Sequence, residues 1–598
     1  MNLTPEERQI GRDNYYEALG VSRRDFLKGT VAAGVTSGAG LGAMYFGYGP
    51  RVGDPVRVGI IGTGDEGGVL IGGLTPDYVQ VAAICDIRPY NIHRAFHGDW
   101  SSPVAQEARP GLMAKYGWKT EDEARKHIQV YERYEELLKD SRLEGVIIAL
   151  PLHLHAPVAI AALRAGKHVL TEKLMAHDVA QCKEMGRVAR STGLLLATGH
   201  QRHYSVLYDN AVNLLQWGLL GQLHFIRAQW HRGNLPGADS WKQPLPGGES
   251  YIEGGKTKKV DRIADELKRF QEALGKEKDP ANVALLEKKV AQWKAWNDDR
   301  KLNPADYGYE DITLADSRIR TAMEELCRWR LWNRTGGGLM AELGSHQLDA
   351  ASIFISAMRK DHQKVKPLSV HAVGGRHIFP LDREAEDHVY CIFEFPGPAY
   401  EAPADGNVKA AFGYHDQVMG VPDPQRGIPG YAEDPLKRVV VTYSSINGNG
   451  FGGYGEVVMG TKGTLILERE QEVMLYKDSG SSTRVQVKEG KGGPTMDTQE
   501  SGPPSGAAAM GKAADTGPVS RGYTEEIEHW AWCIRNPAPE NRPRCHPEVA
   551  LADAVIALTS NVAIKNANQG KGGHVLYDPD WFKIDSDKTP DGSKPRLA

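Results

Sequence analysis

The sequence predicts an α/β chain in which an N-terminal doubly wound parallel sheet is followed by a C-terminal α+β domain with a large, mostly antiparallel sheet. Three observations carry this. Residues 56–175 alternate apolar strand-like runs with helical periodicity, the pattern of a parallel sheet covered on both faces. From about residue 205, strand-like runs succeed one another with few helices between them, as antiparallel pairing requires. The length, 598 residues, exceeds what one hydrophobic core organises, so at least two domains with insertions are expected.

Residues 1–50 read as a targeting segment rather than as part of the fold. Ser22-Arg23-Arg24-Asp25-Phe26-Leu27-Lys28 has the form of a twin-arginine signal, and a small-residue apolar run follows at 30–48. That route exports folded proteins, so a periplasmic location is expected. No clean Ala-x-Ala site is visible, which leaves the segment either cleaved or kept as a membrane anchor. No other stretch reads as long and apolar enough to span a bilayer.

The first domain is placed at 51–200. Its strands are expected near 56–61, 79–86, 128–131, 145–150 and 168–172, with a sixth at 194–198 and a helix at 156–165 closed by Gly166. The first strand runs directly into Gly62-Thr63-Gly64-Asp65-Glu66-Gly67. Gly62 permits a tight turn, Gly64 lets backbone approach a pyrophosphate, and Gly67 lets the next helix pack close with its N-terminus toward the phosphates. Asp86 ends the second strand 19 residues past Gly67, the spacing at which a carboxylate reaches a ribose 2′-OH. A dinucleotide site is therefore expected. Asp86 favours NAD, and Arg88 keeps NADP open because it would hold a 2′-phosphate.

The second domain is placed at 201–598. It is expected to hold a helix at 206–215, strands near 223–230, 368–373, 388–395, 438–444, 455–459 and 464–467, and helices at 339–357, 524–535 and 547–566. An insertion occupies 240–325. Within it, Val260, Ile263, Leu267, Phe270 and Leu274, then Leu286, Val290 and Trp293, predict a helical hairpin at 256–300 that decorates the surface or meets another subunit. Residues 478–522, rich in Gly, Ser, Pro and Lys, read as a mobile loop.

Composition excludes some classes. A net charge of −4 argues against a general nucleic-acid binder. Six scattered cysteines show no metal-ligand spacing, so no metal is expected; Cys533 and Cys545 offer a pairing in an oxidising compartment.

Two further motifs sharpen the reading: Pro151-Leu152-His153-Leu154-His155 followed by Thr171-Glu172-Lys173-Leu174, and Gly336-Gly337-Gly338-Leu339-Met340-Ala341-Glu342-Leu343-Gly344-Ser345-His346. With the glycine turn, they make the chain resemble the Gfo/Idh/MocA oxidoreductases over about 56–235 and again from about 334. The resemblance implies a Rossmann domain and places a Glu-Lys-Pro motif on Glu172-Lys173-Leu174, with leucine in place of proline. It also places an Asp-x-x-x-His pair on Glu342 and His346. These implied roles make His346 the general base for a secondary alcohol, since imidazole titrates near neutrality. Lys173 bonds the same oxygen, and the like charge of a nicotinamide lets it share in the proton relay. Glu342 orients substrate hydroxyls or the imidazole.

The cofactor set expected on this reading is Gly62, Thr63, Gly64, Gly67, Asp86, Arg88, Pro151, His155, Glu172, Lys173 and Gln201. Arg202, Trp230 and His231, near the domain crevice, have the polar forks and aromatic plates that suit a sugar. The expected activity is NAD(P)-dependent oxidation or reduction of a carbohydrate or polyol with a tightly held cofactor. The alternative is a glycosidase that uses bound NAD transiently, and a non-catalytic sugar-binding protein is a third reading. The expected partners are a small carbohydrate and further copies of the chain, as a dimer or tetramer.

Overall fold

In the structure, a computed structural model, residues 3–20, 43, 46–49, 52–254, 256–314, 317–359, 361, 363–401, 435, 437–477, 486–490, 493–497 and 521–595 are described. The twin-arginine motif, most of the apolar run after it and most of 478–522 lie outside them; within the last, residues 486–490 and 493–497 pair as an antiparallel hairpin.

Six strands, β1 (Val56–Ile61), β2 (Val79–Cys85), β3 (Gln129–Tyr131), β4 (Gly145–Ile148), β5 (His168–Glu172) and β6 (Leu196–Gly199), form one sheet in the order β3-β2-β1-β4-β5-β6. Every pairing in it is parallel. The order reverses direction at β1, so a crevice opens beyond the strand ends between β1 and β4. The strands are apolar on both faces because helices cover both, among them Asp65–Gly73, Pro89–His97, His155–Arg164 and Val179–Thr192. Asp178 starts the last of these by accepting the Gln181 N–H at 2.8 Å.

The second sheet has eight strands. Its order is Glu472–Lys477, Gly463–Glu468, Tyr454–Gly460, β7 (Leu223–Arg232), Arg438–Asn447, His388–Pro396, Ser369–Gly375 and His574–Leu576. One pairing, β7 with Arg438–Asn447, is parallel, which makes the sheet mixed. Helices Ser345–Ala357 and Pro547–Asn568 pack against it and against each other. Pro547–Asn568 is long and apolar enough to cross a membrane, contrary to the sequence expectation of no second such stretch. Its apolar window is 72% buried in the protein, as in a core helix.

Two expectations are corrected by long-range packing. Parts of residues 1–50 belong to the fold. Helix Pro5–Ala18 lies on the edge strand Glu472–Lys477; Arg8 bonds Glu468 and Glu472, and a Cβ on Gly11 would meet Met474 and Tyr476 at 2.7 Å. Further along, the Tyr48 hydroxyl donates to Glu528 at 2.8 Å. The partners are more than 450 residues away in sequence, beyond the reach of a local pattern. Cys533 and Cys545 are separate, buried thiols rather than a pair.

The second correction concerns the insertion. Residues 256–260 pair as a strand with Glu249–Glu253, and helices Arg262–Leu274 and Pro280–Asp298 follow. The longer helix packs on Pro89–His97 of the first domain. Trp296 stacks on Tyr90 at 4.5 Å, and Gln292 bonds Asp99 and the Trp100 N–H. It thus covers the flank of the crevice instead of standing free. Helix Tyr523–Arg535 also returns to the first domain, where Trp530 fills the space beside Gly145.

Candidate active site

The glycine turn has the shape its sequence implies. Gly62 has φ +88°, and a Cβ there would lie 2.2 Å from the Ala149 carbonyl oxygen. A Cβ on Gly67 would lie 2.2 Å from the Gly62 oxygen, so helix Asp65–Gly73 approaches the strand end only because both residues lack one. At Gly64 a Cβ would meet only Asn91 Nδ2, at 3.6 Å, which leaves space above the helix N-terminus. Asp65 would repel a phosphate there. Arg94 Nη1 donates to it at 2.7 Å, and although burial opposes ionisation, Arg94 and Arg109 hold its carboxyl at about 2.

Asp86 closes the far side. Its carboxylate accepts the Thr63 N–H at 2.8 Å, the Arg88 N–H at 2.9 Å and Asn91 Nδ2 at 3.1 Å. Thr63 thereby joins the first glycine turn to the end of β2. From this turn a cavity of about 430 Å³ runs to Lys173. Its wall includes Gly62, Gly64, Asp86, Arg88, Pro151, His155, Glu172, Lys173 and Glu342 from the expected set, and Asn91, Tyr307, Tyr309, Trp329 and Arg330 besides. These residues fit a dinucleotide: a glycine cradle under a helix N-terminus, a carboxylate at the ribose spacing and a lysine at the opposite end.

At that end, Lys173 follows β5 through a cis Lys173–Leu174 peptide. Its Nζ donates to the Glu342 carbonyl oxygen at 2.9 Å. Glu342 lies in a wide π-type turn, Met340–Gly344, that leads into helix Ser345–Ala357. Its carboxylate accepts Arg330 Nε at 2.8 Å. Burial opposes its ionisation, but Arg330 and Lys173 outweigh that and hold Glu342 below its ordinary value. Glu172 is pushed up to about 8, first by burial and then by Glu66. His155 bridges two backbone segments, with Nδ1 2.8 Å from the Leu174 oxygen and Nε2 2.9 Å from that of Leu150. It ties the end of β4 to the lysine turn.

Of the other predicted residues, Thr63 and Gly67 sit in the glycine turn, and His346, Arg202, Gln201, Trp230 and His231 likewise do not line the cavity. His346 is 7% exposed and lies 6.2 Å from the His200 ring and 5.5 Å from Trp230. Burial, then the charges of Lys173 and Arg202, hold it well below its ordinary value, so it is a neutral imidazole. Arg202 donates to Glu470 at 2.6 Å and packs on Tyr208 and Trp230. Its partner Glu470 sits at φ +58° in the turn between two strands of the second sheet. Gln201 Nε2 donates to the Tyr523 hydroxyl at 3.3 Å, and Trp230 stacks on Tyr454 at 4.4 Å. His231 is half-buried at the end of β7. His200, Asp349 and Asp553 come close enough to hold a cation, but the Lys364 ammonium already bridges the two carboxylates.

Sequence reading missed Trp329, Arg330, Tyr307 and Tyr309 because they lie in or beside the insertion, where no motif marks them. Asn91 offered one signal, its position on the first turn of the helix after Asp86.

Residues 56–200 match the Gfo/Idh/MocA family model, described as an oxidoreductase family with an NAD-binding Rossmann fold. An uncharacterized oxidoreductase of Schizosaccharomyces pombe is 35% identical over 132 residues, 21% of this chain and 36% of that protein. A glycosyl hydrolase family 109 protein of Solibacter usitatus is 27% identical over 215 residues, 34% of this chain and 44% of that protein. Inositol 2-dehydrogenase of Salmonella paratyphi B is 31% identical over 170 residues, 28% of this chain and 43% of that protein. The chain spans 36% to 44% of the length of these relatives. Residues 56–200 therefore match the NAD-binding Rossmann fold of the Gfo/Idh/MocA family model.

Proposed function

We propose that the protein is an NAD(P)-dependent oxidoreductase of a sugar or polyol, working on a secondary alcohol with a retained cofactor. The observation that carries this is the position of the Lys173 amine, at the end of a cavity that begins at the glycine turn and Asp86. A bound nicotinamide would supply the hydride acceptor or donor. Lys173 Nζ holds the reacting oxygen and passes its proton. Glu342 fixes that amine through its carbonyl, and with Arg330 it presents a charged pair to neighbouring hydroxyls. His346, which burial and the charges of Lys173 and Arg202 keep neutral behind the wall, accepts a hydrogen bond on the proton's way out rather than holding the proton, which leaves to solvent. The inositol dehydrogenase relative supports a polyol substrate.

The Arg23-Arg24 motif supports export of the folded enzyme to the periplasm, a step in which helix Pro5–Ala18, which precedes the motif, has to leave the edge strand it packs on, and assembly as a dimer or tetramer completes the proposal. No free nicotinamide pool is expected there, so the cofactor is recycled within one catalytic cycle.

A second reading has its own support. The glycosyl hydrolase family 109 relative matches over 215 residues, against 132 for the first oxidoreductase. In that reading the sugar is oxidised, loses its leaving group, gains water and is reduced again. The test is to release and identify any bound nucleotide, then offer free sugars, polyols and glycosides. Oxidoreduction changes nicotinamide absorbance or needs a second substrate; hydrolysis frees sugar with no net change. Neither response, with Lys173→Met indistinguishable from the native chain, would remove the enzymatic proposal.

A further inference from the structure

The insertion brings one charged side chain to the Asp86 end of the cavity. Asp299 follows helix Pro280–Asp298 and is fully buried. Its Oδ2 accepts Arg88 Nε at 2.9 Å, and its Oδ1 accepts the Tyr90 N–H at 2.9 Å. Arg88 lies in the cavity wall next to Asp86, where a free guanidinium would make a two-pronged bond to a 2′-phosphate. The stacking of Trp296 on Tyr90 and the Gln292 bonds to Asp99 and Trp100 hold Asp299 in place. Asp86 and Asp299 set two carboxyl groups against the one Arg88 guanidinium at this corner. A ribose 2′-hydroxyl can donate to Asp86. A phosphate dianion meets the two carboxyl groups and an arginine whose Nε is held by Asp299, turned toward the inserted helix.

We propose that Asp299 is a positioning residue for cofactor choice: it holds Arg88 against the inserted helix and so makes the cleft select NAD(H) over NADP(H). This rests on reading the cleft as a dinucleotide site. Asp299 acts through Arg88, and the insertion that carries it becomes part of the specificity apparatus.

The test titrates the full chain, stripped of bound nucleotide, with NADH and with NADPH and follows nicotinamide fluorescence. The native chain should bind NADH at least about tenfold more tightly. Asp299→Asn keeps the side-chain shape and the Tyr90 bond. It should tighten NADPH by about tenfold or more while NADH changes by less than about threefold. Arg88→Ala alone should leave NADPH as weak as in the native chain, and added to Asp299→Asn it should cancel the gain. A native preference for NADPH, equal weakening of both nucleotides in Asp299→Asn, or selective loss of NADPH in Arg88→Ala would each overturn the inference. If the native chain binds neither nucleotide, the cleft reading itself falls and the inference goes with it.

Discussion

The two ends of the interdomain region use similar residue types and treat charge in opposite ways. At the glycine turn Asp86 and Asp99 are well supplied with donors, while Glu66 Oε1, Arg88 Nη2 and Arg94 Nε are buried without a partner among the described residues. Asp86 accepts from Thr63, Arg88 and Asn91, and Asp99 accepts from Arg94, Arg109 and Gln292. Behind Lys173 the balance is reversed. His346 Nδ1, both ring nitrogens of His200, Asp349 Oδ2, and Arg202 Nε and Nη1 are buried without a hydrogen-bond partner among the described residues. Unmet buried polar atoms cost roughly 1–3 kcal/mol each. The nucleotide end thus pairs the carboxylates that shape its turn and leaves single atoms of Glu66, Arg88 and Arg94 open. The histidine end keeps hydrogen-bonding capacity in reserve beside the amine expected to move a proton.

Lys173→Met should give the largest effect and test the comparison directly. Turnover should fall by about 10²- to 10⁴-fold, while NADH affinity stays within about threefold. Equal loss of both would mean that the lysine belongs to the nucleotide receptor and that the two ends are one. Gly62→Ala attacks the receptor itself. With φ +88° and a backbone oxygen 2.2 Å from the new Cβ, the turn must rearrange. Nucleotide binding should be lost with a stability decrease of about 3 kcal/mol, measured by urea unfolding. An unchanged variant would show that the turn is looser than its geometry.

His346→Asn sharpens the other side. Turnover should drop by about 10- to 100-fold with cofactor binding intact. The native rate profile should show no acid limb near the ordinary histidine value, because burial and the charges of Lys173 and Arg202 keep His346 neutral. A limb at that value that vanishes in His346→Asn would place the imidazole in solvent-like surroundings.

The smallest effect concerns stability, away from both ends. Burial pushes Glu528 up to about 7 from an ordinary 4.5, against hydrogen bonds from Thr75 and Tyr48. Its folded value is raised, so the native state keeps a proton that the unfolded chain releases. The contribution is full below pH 4.5 and is lost as pH rises toward 7. Glu528→Gln should therefore gain stability relative to the native chain as pH rises through that window, by at most about 3 kcal/mol. Denaturation at pH 4.5 and pH 8 measures it, and parallel curves would contradict the shift.

Much of the nucleotide end was legible from residue order. The turn at Gly62, Gly64 and Gly67 and the acid at Asp86 belong to one β-α-β unit, whose geometry is set by neighbours in the chain. The histidine end was legible only in part. Glu342 and His346 were placed on one helical segment, but the wide turn at Met340–Gly344 and the tertiary packing put one in the cavity wall and the other behind it. Arg202 read as a sugar fork. Its partner Glu470 comes from a hairpin turn 268 residues away, and no local pattern reports such a pairing.

By itself, the amino-acid order determined the alternation of strands and helices, the glycine cradle and the identity of the lysine, because each depends on spacing along a short stretch. Only tertiary packing decided that helix Pro5–Ala18 joins the second sheet, that the inserted helix lies across Pro89–His97, and that Asp299 meets Arg88. Those contacts join segments hundreds of residues apart. They are selected by the shape and charge of surfaces that exist only after the chain has folded.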